Sequence, residues 1–377
     1  MGMTLNWNFG ERLPVARPRL FGRGVGCGDA GLLCLIGLVL AGGVFGCGQS
    51  TRLGAELTHA DTAVQAGATF RVADRDLHRP VTIIAYGDMR FTDESNVTAT
   101  NPSVRQALIA RVAEENPDAV LLNGDVPWHG GNEADYSVYG AETKAWRDAH
   151  LRVFPALGNH EFAECEPLEC LRNWWRAFPE LKDRRWYSVQ LGTQLYAIVL
   201  DSDASLLADS EQSRWLEAEF AALPQGVRFV LITMHHPPVA DVQTKLFVDH
   251  NPRPNEMALA SLLEANRKSR VKFVVIAGHI HNYERFERNG VVYLVSGGGG
   301  ATPYPVERTP ADAYQDSSFP NYHYLKFAVA GEILKGTMYR LANPGHFTWE
   351  VKDTFEVPGP KTSELLHDFG TGIPSIR

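Results

Sequence analysis

The stretch "VVIAGHIHNYERF", from Val274 to Phe286, sets two histidines one residue apart behind a short apolar run. The run reads as a buried strand. Along a strand, residues i and i+2 point to the same side. His279 and His281 are therefore expected to look into one pocket. Imidazole is the commonest nitrogen ligand for zinc, iron and related cations. The plainer reading is a turn with two solvated histidines, and the pair alone does not decide between the two.

Other strand ends do. The run "VTIIAYG" leads into Asp88, "AVLLNG" into Asp125, "FPALG" into Asn159 and His160, and "FVLITM" into His235. Open α/β sheets place ligands at the carboxyl ends of their strands, so these side chains are expected to converge. Carboxylate, amide oxygen and imidazole are the donors that bind hard and borderline metal ions. A single Gly-Asp or His-His pair means little, whereas five ordered occurrences at strand ends form a pattern.

The elements between them support the same layout. Val104, Leu108, Ile109 and Val112 fall on one helical face, with Asn101-Pro102-Ser103 as a start signal and Asn116-Pro117 as a stop. With the strands on either side, this is a β-α-β unit. A second helix follows in "SEQSRWLEAEFAAL", with Trp215, Leu216, Phe220 and Leu223 as its buried stripe, and a third in "NEMALASLLEAN". The runs "VVYLVSGGGG", "YHYLKFAVAG", "EILKGTMYRL" and "FTWEVKDTFEV" read as an antiparallel set. An α/β core with a second, mixed sheet accounts for this order.

The chain has 377 residues and the composition of a soluble globular protein. A net charge of -8, with no Lys/Arg run in its main part, argues against a nucleic-acid partner. The N-terminus differs. Arg12, Arg17, Arg19 and Arg23 precede the apolar stretch Gly31 to Phe45, which is short for a membrane span and reads as an export signal. The segment "VFGC" resembles a bacterial lipoprotein signal, which makes Cys47 the residue to be lipidated; an uncleaved membrane anchor is the alternative, and both place the bulk of the chain outside the cytoplasm, in the cell envelope. The expected organisation is export signal over 1–47, tether over 48–78, main domain over 79–345, and a C-terminal strand with a loose tail over 346–377. Cys165 and Cys170 are expected to pair in an oxidising compartment.

The series "GDMR … NGDV … GNHE … MHHPP … GHIHNYER" resembles the calcineurin-like metallophosphoesterase superfamily and leans towards its purple acid phosphatase branch. The resemblance runs from about Val81 to Leu341. It implies a four-layer sandwich of two mixed β-sheets flanked by helices. It also implies a site for two metal ions, with Zn, Mn, Fe and Co all suited to the donors. Asp125 would bridge them, Asn159, His235 and His279 would complete one position, and Asp88 and His281 would serve the other. His160 would contact the phosphoryl oxygen or protonate the leaving group. The implied activity is hydrolysis of phosphate monoesters by in-line attack of a metal-bridging hydroxide. A phosphodiesterase with the same site is the enzymatic alternative, and a surface binding protein without turnover is the non-enzymatic one.

The pattern breaks in one place. Most of the superfamily has D-x-H in the first motif, but here it reads Asp88-Met89-Arg90. The purple branch compensates with a tyrosine three residues after the bridging Asp, and here that residue is Trp128. Neither arginine nor tryptophan offers a metal a lone pair. Water could fill the position, His129 could swing in, or Arg90 could stand there as a permanent cation. Water together with Arg90 gripping the substrate phosphate is the expectation, since its planar fork suits phosphate. The run "VSGGGG" is read as a tight crossing near the site. Trp174, Trp175, Phe178 and Trp186 are read as packing, and 126–150, 162–185 and 239–256 as loops shaping the pocket.

Overall fold

The computed structural model describes residues 67–244, 250–266 and 270–360. The expected export signal with Cys47, the tether as far as residue 66 and the tail from 361 lie outside them. The chain begins with β1 (Phe70–Val72), β2 (Val81–Tyr86), α1 (Pro102–Glu115), β3 (Ala119–Leu122), α2 (Glu133–Glu142), α3 (Lys144–Asp148), β4 (Val153–Pro155) and α4 (Pro167–Ala177). It continues through β5 (Tyr187–Leu191), β6 (Leu195–Val199), α5 (Glu211–Ala221), β7 (Phe229–Met234), α6 (Pro254–Ala265) and β8 (Lys272–Ala277). Last come β9 (Tyr283–Arg288), β10 (Val291–Ser296), β11 (His323–Ala330), β12 (Ile333–Asn343) and β13 (Thr348–Pro358). One sheet runs β1-β5-β6-β7-β8-β10-β9 and the other β13-β12-β11-β2-β3-β4.

Both sheets are mixed. Strands β6, β7, β8 and β10 are parallel, as are β2, β3 and β4, while β9, β11, β12 and β13 pair antiparallel. The central strands are apolar at nearly every position because both faces are covered. In β7, Phe229 and Leu231 join the core between the two sheets, whereas Val230, Ile232 and Met234 pack on the other side with Leu216, Phe220 and Leu263 of α5 and α6. The period of two survives within a continuous apolar run. Truncating one such buried residue, as in Ile232→Ala, is expected to cost about 2–5 kcal/mol.

Helix α1 is built as its sequence suggests. The Asn101 side chain accepts from the Val104 N–H, Pro102 opens the helix, and Asn116 closes it in the left-handed region. In α5, Leu216 and Phe220 are buried and Trp215 is half-buried, while Leu223, also buried, lies just past the helix end. The Cys165–Cys170 disulfide is formed.

Several expectations need correction. Phe70–Val72, placed in the tether, is an edge strand paired with β5. Segments 126–150 and 162–185, read as loops, carry α2, α3 and α4, although Trp174 and Phe178 pack in the core as read. Among the described residues of 239–256, α6 begins at Pro254. The strand "VVYLVS" is not in the antiparallel set. It inserts beside β8 in the other sheet, because β9, hidden inside the motif "NYERF", supplies its hairpin partner.

Register is what matters for the site. Tyr86 stands opposite Leu122, and Leu122 opposite Pro155, so β2, β3 and β4 end on one line. Met234 stands opposite Ala277 at the matching rim of the other sheet. The two rims are laced together: the Gly87 N–H donates to Ser296 O at 2.9 Å, and the Thr233 hydroxyl donates to Asn123 Oδ1 at 2.8 Å. Every loop with a candidate ligand leaves from these rims.

Candidate metal centre

Three candidate ligands sit where the chain turns sharply off a strand. Asp88, Asp125 and His279 have φ of 65°, 54° and 70°, in the left-handed region that non-glycine residues seldom occupy. Such strain tends to persist where the surrounding structure enforces it, often at functional sites. Glycines allow the close approach. A Cβ on Gly278 would lie 2.6 Å from Asp88 Oδ2, and one on Gly297 would lie 2.8 Å from the same oxygen. The run Gly297 to Gly300 is thus a tight crossing over the pocket, as expected.

The strand alternation invoked for His279 and His281 is not what aims them. Strand β8 ends at Ala277, and the left-handed His279 sends the two rings to different ends of the cleft. His279 Nδ1 lies 3.3 Å from His235 Nε2 and 3.2 Å from Asn159 Oδ1. His235 Nε2 lies 3.0 Å from Asn159 Oδ1 and 3.2 Å from Asp125 Oδ1. A tetrahedral ion held at about 2.1 Å separates its ligand atoms by roughly 3.4 Å. Asn159 Oδ1, His235 Nε2 and His279 Nδ1 therefore have the spacing of ligands around one cation, and Asp125 Oδ1 adjoins them through His235.

The tautomers agree. His235 Nδ1 is 2.9 Å from the Asn123 carbonyl, which only accepts, so Nδ1 carries the proton and neutral Nε2 turns its lone pair inward. Burial works against charge on His235, but Asp125 and then Asp88 outweigh it and pull its pKa above the usual value. Without a cation, the anionic surroundings draw a proton to this spot. Burial likewise opposes charge on Asp125, yet His235, His160 and Arg90 together hold its carboxyl far below the ordinary range. The residues present fit a metal ion.

The other end is built differently. His281 Nδ1 donates to Thr302 O at 2.7 Å, and its buried Nε2, with no hydrogen-bond partner, lies 3.5 Å from Asp88 Oδ1. Arg90 is not free in the cleft. Its Nη2 and Nε lie 3.2 and 3.3 Å from Asp125 Oδ2, and its Cζ sits 5.2 Å from the centre of the Trp128 ring. His129 does not swing in, since its Nδ1 pairs with Glu164 at 3.3 Å. His160 donates from Nδ1 to Trp128 O at 2.6 Å, stacks on the Trp128 ring at 4.6 Å, and turns Nε2 toward Asp125 Oδ2 at 3.7 Å. Burial, ahead of the opposing pull of Asp125, keeps its pKa below the usual imidazole value.

Three residues near the ligands had been given no role from sequence. Glu161 lies beneath them and accepts from the N–H groups of Asp125 (3.1 Å), Val126 (2.8 Å) and Gly158 (2.7 Å), tying the ends of β3 and β4 together. Burial and then Asp125 push its pKa up to about 8. Its place in "GNHE" was the available signal. His236, left unassigned, joins His235 and His279 in a trio whose donor atoms lie within 4.8 Å of one another. Tyr304 accepts from the His281 N–H at 3.0 Å, donates to His279 O at 3.1 Å, and stacks on His250; nothing in its local sequence marks it. A cavity of about 170 Å³ lined by His236, His250, Arg253 and His279 adjoins the ligands, while a larger one of about 550 Å³ near α2, α3 and α4 contains none of them.

Known proteins are similar to this chain. Purple acid phosphatase 22 of Arabidopsis thaliana is 21% identical over 267 residues, covering 64% of this chain and 56% of that protein. The chain thus spans little more than half the length of this relative. The purple acid phosphatase PPD1 of yellow lupin (Lupinus luteus) seeds superposes with a TM-score of 0.59 at 18% identity, over 76% of this chain and 55% of that one. A dimetal phosphatase from Danio rerio superposes with a TM-score of 0.51 at 15% identity, over 74% and 99%. At these identities the superpositions show the fold alone, two mixed sheets with flanking helices. The description "Calcineurin-like phosphoesterase" matches residues 76–283, more than half of the sequence. With that match and a carboxylate–imidazole metal site at its strand ends, the chain belongs to the calcineurin-like phosphoesterase family.

Proposed function

We propose that this protein hydrolyses phosphate monoesters. The observation that carries the reading is the gathering of Asp125 Oδ1, Asn159 Oδ1 and His279 Nδ1 around His235 Nε2, each within 3.3 Å of it, with His160 and Arg90 beside them. A cation held there supplies Lewis acidity toward a phosphoryl oxygen and a nucleophile at neutral pH. The chain's own residues do the rest. Asn123 O and Thr302 O orient the imidazoles of His235 and His281 through their Nδ1 protons. Glu161 holds the backbone of Asp125 in its left-handed turn. Trp128 fixes His160 through its carbonyl and its ring, leaving Nε2 toward the cleft to meet a phosphoryl or leaving-group oxygen.

Arg90 keeps Nη1 without a hydrogen-bond partner among the described residues, and its side chain is 14% exposed. We assign that nitrogen to a phosphoryl oxygen of the substrate. A guanidinium and a cation on two sides suit the dianion of a monoester better than the single charge of a diester. The test compares 4-nitrophenyl phosphate with bis(4-nitrophenyl) phosphate on the purified, metal-loaded chain. A higher kcat/KM on the monoester is expected. Preference for the bis-ester would make it a phosphodiesterase, and turnover of neither would leave a binding protein. Export with lipidation at Cys47 is a further proposal, resting on the sequence; loss of the full chain from the membrane fraction in a Cys47→Ala variant is the expected result.

A further inference from the structure

Resting on the hydrolase reading above, we infer that the chain holds one metal ion, not two, and that the guanidinium of Arg90 takes the place of the other. The first support is the division of Asp125. A carboxylate that bridges two ions gives one oxygen to each. Here Oδ1 faces His235 Nε2 at 3.2 Å, but Oδ2 is engaged by Arg90 Nη2 and Nε at 3.2 and 3.3 Å.

The second support is how firmly Arg90 is held. Its backbone N–H donates to Asp125 O at 2.9 Å, and its φ of 50° is left-handed. Its guanidinium lies over Trp128, whose π face attracts a cation. Arginine and tryptophan stand at the two positions where the superfamily and its purple branch would carry a ligand. In this fold they hold each other. Arginine stays protonated at any working pH and donates only, so it can replace a cation's charge but not bind one.

The third support is what remains on that side. Asp88 and His281 face each other at 3.5 Å, yet among the described residues the trios of converging donors are His235, His236, His279 and Asp88, Asp125, His235. His281 belongs to neither. Among the described residues Asp88 converges only with Asp125 and His235, which the first position already uses, so this side has no separate set of the three or four donors that zinc-type sites use.

The experiment counts ions without reading turnover. The full chain is equilibrated with Mn²⁺, separated from loose ion by gel filtration, and measured by mass spectrometry of the metal and by electron paramagnetic resonance. About one Mn²⁺ per chain with the six-line spectrum of an isolated ion is expected. Arg90→His, which puts an imidazole where the guanidinium was, is expected to retain about two, with an exchange-coupled spectrum. Two coupled ions in the unmodified chain would overturn the inference, and so would an Arg90→His variant that stays at one. Should that variant not fold, Arg90→Lys is measured instead: about one ion supports the inference and two overturns it. Retention of no ion by the unmodified chain overturns the site itself. One ion without hydrolysis of any ester sinks the hydrolase reading and leaves the count standing.

Discussion

The pocket has two halves that share one carboxylate. On the side of His235, His279 and Asn159, two ring nitrogens and an amide oxygen stand 3.0–3.3 Å apart, close enough to share a proton or a cation. On the side of Arg90, the positive charge is already part of the chain, paired with Asp125 and covered by Trp128. The difference teaches that one anionic pocket can be neutralised in two ways. A borrowed cation brings Lewis acidity and can be removed by a chelator. A guanidinium brings only charge and hydrogen bonds, but it cannot dissociate.

The comparison is broken most directly by exchanging imidazoles for methyl groups on each side. His235→Ala is expected to weaken metal binding by well over the roughly 10–100-fold that even an outer-shell partner is worth, and to abolish hydrolysis. His281→Ala is expected to keep its ion and most of its activity. Titration calorimetry with Mn²⁺ reads both, and equal losses would erase the distinction between the halves. His160→Ala removes no candidate ligand, so its metal content should be unchanged while kcat falls by about a hundredfold or more. A fall confined to KM would reassign His160 to binding.

Glu161→Gln sharpens the question of support. It keeps the shape but weakens the acceptor for the N–H groups of Asp125 and Gly158. The expected loss in metal affinity is about tenfold. The smallest effect comes from a control away from the ligands. Glu284 is buried, its Oε1 has no partner, and burial pushes its pKa up to about 8. Its folded value lies above its unfolded one, so folding takes up a proton and stability drains away as pH rises from about 4.5 toward 8. Glu284→Gln should melt with the unmodified chain near pH 4 and a few degrees above it at pH 8.5, with both halves of the pocket unaffected.

Much of this was legible in the residue order. Apolar runs covered on both faces announce themselves as strands, and a polar donor right after each run has to appear at the sheet's rim. Asp88, Asp125, Asn159, His235, His279 and His281 were expected at the rim for that reason and lie there, and α1, whose caps are local, was legible too. What escaped were features without a local signature. Strand β9 was hidden in a motif read for its chemistry, and α2 and α4 in segments read as loops. Tyr304 reaches His279 and His281 from a segment some twenty residues downstream.

By itself the sequence determined which donors line the rim, because the strand period and the residue after each apolar run suffice; that Arg90 and Trp128 stand at two ligand positions is what the resemblance to the superfamily implies. Only the tertiary structure decided that the donors split into unequal halves. That split depends on left-handed turns at Asp88, Arg90, Asp125 and His279, and on the meeting of β3 with β7 and β8. The packing of side chains from different strands sets which donors meet His235 and which meets Arg90. No pattern along one strand encodes that packing.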